Sequence, residues 1–277
     1  CLVDTFDRNF QFNVEHVALA KRADIFMVAP ASANVIGKMA NGIADDMLTT
    51  TILAAKCPKI VSPAMNTNMF ENQIVQDNMK KLEGYGFKII TPASGYLACG
   101  DTGAGKMPEP EVLMEYILNE IAYEKDLLGK KVLITAGPTQ EAMDPVRFIT
   151  NHSTGKMGYA LATNCARRGA DVTLVSGPVS INPPMFVNVI NVVSAMDMAN
   201  VVKEEAPKQD IIIKTAAVAD YRPRTIATEK IKKKDGHCPC RIEMTEDTMC
   251  MCKEFREQIA DPEFEGYCHC MLYYKSK

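Results

Sequence analysis

An apolar run that ends in proline and small polar residues occurs three times between residues 23 and 95: ADIFMVAPAS (23–32), CPKIVSPAMN (57–66) and GFKIITPASG (86–95). Each run is short and gives way at once to loop-forming residues, the pattern of a buried strand leaving its sheet. Helix-compatible segments lie between them, at about 33–56 and 70–84. Strands alternating with helices make an α/β fold on a parallel sheet. Ligands of such sheets bind beyond the carboxyl ends of the strands. The loops that close these runs, rich in Pro, Asn, Ser and Gly, are therefore the expected site.

The rhythm resumes after PEPEVLMEYILNEIAYEKDLLGKK (108–131), which opens on prolines, reads as a helix and ends in charge and Gly129. Strand 130–136, helix 157–168, strand 170–177, helix 195–205 and strand 210–220 follow, and the pattern fails after about Asp235. A boundary near Lys125 divides the chain into 1–125 and 126–277. A length of 277 residues and a hydrophobic content of 47% suit two cores of ordinary size. The net charge is −3 and the longest basic run is Lys232-Lys233-Lys234, so electrostatics gives no reason to expect nucleic acid or an anionic membrane as partner. No apolar stretch approaches the roughly 18 residues of a membrane span. Of the ten cysteines, Cys1, Cys57, Cys99 and Cys165 are scattered and read as free thiols. The other six form C-x-C pairs: Cys238/Cys240, Cys250/Cys252 and Cys268/Cys270. That spacing is not the usual C-x2–4-C of structural zinc, so no metal ligands are assigned. Nothing suggests secretion, and the expected compartment is reducing and cytoplasmic.

ITNHSTGKMGYALA (149–162) looks like a phosphate loop, but Thr150 stands where a G-x-x-x-x-G-K-[ST] loop needs its first glycine. Met157 follows Lys156 where the loop needs a magnesium-binding hydroxyl. The plain reading is a polar strand-to-helix connection with a Ser or Thr as N-cap. In the first half, His16 lies on a helix among apolar neighbours, Asn66 just past a strand end, and Cys99 and Asp101 in a glycine-rich segment. Each alone has an ordinary explanation: a packed histidine, a turn asparagine, a surface thiol. All three belong to one α/β unit.

HVALAKRAD after Glu15, the APASAN loop, GIADDMLTT, PAMNTNM and ACGDTGAGKM, in that order, resemble the flavin-dependent cysteine decarboxylases, above all the phosphopantothenoylcysteine decarboxylases of coenzyme A synthesis. The resemblance implies a flavodoxin-like sheet that binds FMN and assembles as trimers. By it His16 serves oxidation and decarboxylation, Asn66 binds the substrate carboxylate and Cys99 donates the final proton. Ser32, Asn34, Pro63, Ala64 and Met65 lie along the flavin. Oxidising the substrate thiol to a thioaldehyde gives the departing carboxylate the electron sink it lacks.

GKKVLITAGPTQEAMDPVRFITNHSTGKMG, RGADVTLVSGP, AAVADYRP and EKIKK are similar to the phosphopantothenate–cysteine ligases, a domain often fused to the decarboxylase. This implies a Rossmann-like α/β ligase domain that dimerises. It couples 4'-phosphopantothenate to cysteine with CTP and Mg2+ through an acyl-cytidylate. Asn151 then stabilises that intermediate and Lys230 is needed to form it. Gly137, Pro138, Ala216, Ala217 and Asp220 cradle the nucleotide. The family's opening strand and phosphate-gripping loop have no counterpart before Cys1, and beyond about Gly236 the sequence departs from the ligase pattern. The expectation is a fragment of the bifunctional enzyme. A decarboxylase with a degenerate ligase half, and a non-catalytic flavin-binding protein, stand as alternatives.

Overall fold

The computed structural model describes residues 15–96, 102–229, 257–258, 260–262, 265–267 and 274–275. The chain begins with α1 (Glu15–Arg22), β1 (Phe26–Ala31), α2 (Ala33–Asn41), α3 (Met47–Ala54), β2 (Lys59–Pro63), α4 (Thr67–Glu71), α5 (Gln73–Gly84) and β3 (Phe87–Ile89). A hairpin, β4 (Ala93–Tyr96) with β5 (Thr102–Lys106), and α6 (Pro110–Ile121) follow. Next come β6 (Lys131–Ala136), the hairpin β7 (Gln140–Ala142) and β8 (Phe148–Thr150), α7 (Lys156–Arg167) and β9 (Asp171–Ser176). β10 (Asn188–Asn191), α8 (Ala195–Glu205) and β11 (Ile211–Lys214) complete the second half, and β12 (Gly266–Tyr267) pairs with β13 (Tyr274–Lys275).

Two parallel sheets result, ordered β1-β2-β3 and β10-β9-β6-β11. In the first, Val28, Ala31 and Val61 pack with Ile36 of α2 and Leu82 of α5, while Ile60 faces the other way onto Ile90 and Leu113 of α6. In the second, Val132 and Ile134 of β6 pack with Tyr159 and Ala162 of α7, whereas Leu133 turns to Met198 of α8. The period of two, with both faces covered by helices, explains why Val132, Leu133 and Ile134 of β6 are apolar in succession. Thus the parallel α/β fold read from the sequence is present in both halves.

Several expected boundaries are corrected. The single helix expected over 33–56 is two, because Gly42 ends α2 in the left-handed region (φ 69°) and Asp46 starts α3 with a capping box to Thr49. The helix expected over 70–84 is likewise split, with Asn66 capping α4 and Asn72 capping α5. The run 86–95 is a strand only to Ile89; Ala93 begins the hairpin. The helix read within 108–131, before its charged end and Gly129, spans Pro110–Ile121, and the strand expected to 220 ends at Lys214. The edge strand β10 and the hairpin β7–β8 carried no clear sequence signal.

α6 meets α7 directly. Arg167 Nη2 donates to both carboxylate oxygens of Glu115, at 3.0 and 2.8 Å. Lys125 donates from one ammonium to the carbonyls of Asn119 and Arg167, near the ends of both helices. Tyr116 packs edge-on against Phe186, ring centroids 4.9 Å apart. Among the described residues no helix is long and apolar enough to cross a membrane.

Candidate functional site

The first cluster forms where β1 and β2 leave their sheet. The strands are parallel, Ala31 stands beside Pro63, and Ala64 N–H donates to the Ala31 carbonyl at 2.9 Å. The two following loops therefore run side by side. Ser32 caps α2, accepting from Val35 N–H at 3.4 Å; Ser32 and Asn34 are exposed. Asn66 is half-buried, and its Oδ1 accepts from Asn68 N–H at 2.9 Å, so it fills the turn role the sequence allowed.

The β4–β5 hairpin is docked on this loop. Met65 N–H donates to the Gly105 carbonyl at 3.1 Å. Gly105 has φ +128°, and a Cβ there would stand 2.2 Å from the Met65 carbonyl oxygen; at Gly103 it would stand 2.4 Å from Thr67 Oγ1. Only glycine lets the two backbones meet so closely. Thr67 Oγ1 is buried without a hydrogen-bond partner among the described residues. Cys99 and Asp101 fall on the connection between β4 and β5, outside the described residues. His16 is half-buried on α1, which packs against α3, whereas α4 packs against β5 and α5. The chain thus joins Ser32, Asn34 and the 63–66 loop into one cluster and carries His16 on a different group of helices.

The second cluster lies at the carboxyl ends of β6 and β11, against the start of α7. Ala217 N–H donates to the Gly137 carbonyl at 2.9 Å, and Pro138 bridges Ala217. Ala219 N–H donates to Thr139 Oγ1 at 2.9 Å, Thr150 Oγ1 to the Thr139 carbonyl at 2.7 Å, and Asn151 Nδ2 to the Val218 carbonyl at 2.9 Å. Three short segments are thus sewn together, with the buried Thr139 bonded to both of the others. Asp220, at the end of the last segment, is exposed.

Three glycines permit the junction. Gly137 (φ 75°) and Gly155 (φ 73°) both abut Val179, and a Cβ on Gly177 would lie 1.7 Å from the Pro138 carbonyl oxygen. Gly155 itself is the N-cap of α7, with no side-chain cap. The expected Ser or Thr cap is therefore corrected. Ser153 Oγ accepts from Gly155 N–H at 3.3 Å, two residues too early to cap, because only glycine fits between Val179 and Gly137. The first amides of α7 are left without a side-chain acceptor, and the positive end of the helix dipole faces the cluster. Lys230 lies outside the described residues, as do the six C-x-C cysteines. Cys57 and Cys165 are free, and burial pushes the Cys165 thiol up. Among the described residues no group of three or more His, Cys, Asp or Glu side chains could hold a metal.

Beside β7, a cavity of about 760 Å³ is lined by Glu141, Ser194, Arg222 and Arg224 among others. Glu141 is buried and accepts from Ala195 N–H at 2.7 Å, so its charge is spent on the start of α8. Arg222 and Arg224 are exposed, with no carboxylate partner among the described residues. Sequence reasoning missed Thr139, Gly177 and the two arginines. The closely spaced Gly-Pro pairs at 137–138 and 177–178 were the available signal for Gly177.

Residues 1–122 match the flavoprotein family model, and residues 127–259 match that of the DNA/pantothenate metabolism flavoprotein C-terminal domain. The chain is 47% identical over 267 residues to the coenzyme A biosynthesis bifunctional protein CoaBC of Bacillus subtilis (strain 168), covering 95% of this chain and 65% of that protein. It is 51% identical over 232 residues to the protein of the same name from Vibrio cholerae serotype O1, covering 84% of this chain and 58% of that one. Among solved structures, the C-terminal domain of a CoaBC protein is 51% identical, covering 38% of this chain and 56% of that one, with a TM-score of 0.36. The chain thus spans less than two thirds of the length of the curated relatives named. The two models are matched in order along one polypeptide, the flavoprotein model in the first half and the DNA/pantothenate metabolism flavoprotein C-terminal domain in the second.

Proposed function

We propose that the chain is part of a bifunctional coenzyme A enzyme. Residues 1–125 form a flavodoxin-like, FMN-dependent phosphopantothenoylcysteine decarboxylase domain, and residues 126–277 a Rossmann-like phosphopantothenate–cysteine ligase domain. The observation that supports this best is the coincidence of motif and topology. The residues assigned from resemblance, Ser32, Asn34 and 63–66 in one half and Gly137, Pro138, Ala216 and Ala217 in the other, come from loops that leave the carboxyl ends of parallel strands, and Asn151, after the antiparallel hairpin, is tied to one of these loops through Val218.

The first cluster fits a flavin. Its paired loops offer hydroxyl, amide and backbone groups beside one another, and Thr67 Oγ1 is a buried polar atom without a partner among the described residues. Ser32, Asn34, Pro63, Ala64 and Met65 would hold FMN, which when bound supplies a reversible two-electron acceptor. Asn66 has side-chain Nδ2 hydrogens suited to a substrate carboxylate. His16 serves the oxidation and decarboxylation steps, and Cys99 donates the final proton. Assembly as trimers would place the flavin near subunit contacts.

In the second half, the uncapped start of α7 suits the negative charge that gathers on phosphoryl groups during acyl-cytidylate formation. Gly137, Pro138, Ala216 and Ala217 line the nucleotide, Asp220 stands near its cytosine or ribose, and Lys230 and Mg2+ neutralise its phosphates. Asn151 holds the intermediate, Arg222 and Arg224 offer partners to the anionic substrate, and ligase domains pair as dimers in the cytoplasm. The test is to supply the chain with FMN and 4'-phosphopantothenoylcysteine and measure carbon dioxide, then with CTP, cysteine and 4'-phosphopantothenate and measure pyrophosphate. Decarboxylation should vanish in His16→Asn; turnover unchanged by that substitution would sink the decarboxylase assignment. Decarboxylation with no consumption of CTP would restrict the function to the first half.

A further inference from the structure

We infer that the chain carries a second small-molecule site, for an organic anion with an apolar body, at the amino ends of β2 and β3. This is the end of the first sheet opposite the loops at 32–34 and 63–66. A cavity of about 440 Å³ opens there, within the range that takes small ligands. Its origin is local. Gly42 turns the chain out of α2 in the left-handed region, α3 starts only at Met47, and the start of the elbow between them lines the cavity together with the first residues of β2 and β3.

The walls are apolar: Met39 and Ile52 are buried, and Leu53 and Tyr85 remain exposed at 61% and 65%. Two cations complete the lining. Lys59 Nζ stands 5.5 Å from the centroid of the Phe87 ring and donates to the Cys57 carbonyl at 3.4 Å. Lys81 Nζ donates to Asn41 Oδ1 at 3.1 Å. Both ammonium groups are thus positioned by neutral partners, and neither has a carboxylate within ion-pair distance among the described residues. The acidic pair on the α2–α3 elbow is already spent: Asp45 and Asp46 lie 2.7 and 3.2 Å from Lys38 Nζ. Positive charge is left uncompensated beside an aromatic and aliphatic wall. A carboxylate or phosphate ester on a flat apolar body answers both features, with its charge toward Lys59 and Lys81 and its body against Ile52, Leu53 and Phe87.

The experiment is calorimetric titration of the full chain with 2-naphthoate in the presence of saturating FMN. The expected result is saturable binding of one naphthoate, weakened about fivefold by each of Lys59→Met and Lys81→Met, the loss that one partly exposed ion pair predicts. The uncharged 2-naphthol should bind more weakly than naphthoate, and added salt should narrow the gap. Thermal unfolding of both variants should match the parent, since neither lysine is in an ion pair. Tighter binding of 2-naphthyl phosphate than of naphthoate would support a phosphate ester as the natural source; the reverse order would support a carboxylate. No saturable binding, equal binding of naphthol, indifference to both lysine substitutions, or displacement of naphthoate by FMN would each overturn the proposal.

Discussion

The side-chain amide of Asn151 donates to the backbone carbonyl of Val218 at 2.9 Å, tying the strand-to-helix loop before α7 to the segment that follows β11. The residue that resemblance assigns to the intermediate is therefore also a fastener. Its Nδ2 is committed to the chain on one side, which fixes the direction of the amide. The same segment is held independently by Ala219 N–H on Thr139 Oγ1.

Asn151→Ala should separate these two duties. The fold should survive, because Thr139 still holds the 216–219 segment, and one hydrogen bond is worth about 1 kcal/mol. Pyrophosphate release in the ligase assay should fall on the order of 100-fold, the loss typical of removing one positioned donor from a charged transition state. A rate near that of the parent, with an unchanged melting curve, would assign Asn151 to the loop alone.

Gly105→Ala should undock the β4–β5 hairpin from the Asn66 loop. The new methyl would meet the Met65 carbonyl oxygen at 2.2 Å in a backbone conformation, φ +128°, that alanine rarely adopts. The cost should be about 3 kcal/mol, as for other strained and overpacked glycine positions. Because the contact is local to the first half, the loss should appear in decarboxylation and in protease sensitivity near residues 93–106 before it appears in the ligase assay. Gly103→Ala should act in the same direction but more mildly, since Thr67 can change its rotamer while a backbone carbonyl cannot.

Most strands of the two sheets could be read from the sequence because they are runs of apolar residues, several of them closed by proline or glycine, and the parallel order demands that pattern; the edge strand β10 has neither mark. What could not be read was where a helix stops inside a helix-compatible run. Gly42 and Asp46 divide 33–56 through a left-handed exit and a side-chain cap, both decided by two or three residues that also occur inside loops. The site residues known by motif, such as Asn66 and Asn151, stood where the loops leave the strands. Thr139 was invisible because its importance lies in bonds to residues 150 and 219, which no local pattern announces. The Ser or Thr expected to cap α7 failed for a packing reason, the closeness of Gly155 to Gly137 and Val179.

Ile212→Lys should make the chain more soluble without unfolding it. β11 pairs with β6 on one side only in the described sheet, yet it reads Ile-Ile-Ile-Lys, a composition suited to a strand covered on both faces. Ile211 and Ile212 remain 39% and 43% exposed. An apolar edge strand is a template for pairing between copies, and an edge lysine opposes it. Light scattering on warming should rise later in the variant. Identical scattering would place the sticking surface elsewhere.

Acid should weaken the first half partly through Asp46. This carboxylate caps α3, accepting from Thr49 N–H at 2.8 Å, and that hydrogen bond, with further help from the Thr49 hydroxyl and Lys38, holds its pKa below the usual aspartate value despite partial burial. A depressed folded pKa means that protonation is easier in the unfolded chain. The contribution of Asp46 is therefore complete above about pH 4, the unfolded value, and is lost as pH falls through the lower folded value. At neutral pH Asp46→Ala should cost about 1 kcal/mol, whereas Asp46→Asn, an equally good cap, should cost less. In urea unfolding at pH 7 and again near pH 2.5, the gap between parent and Asp46→Ala should shrink at the acid end. A gap that stayed constant would show that the cap works without its charge.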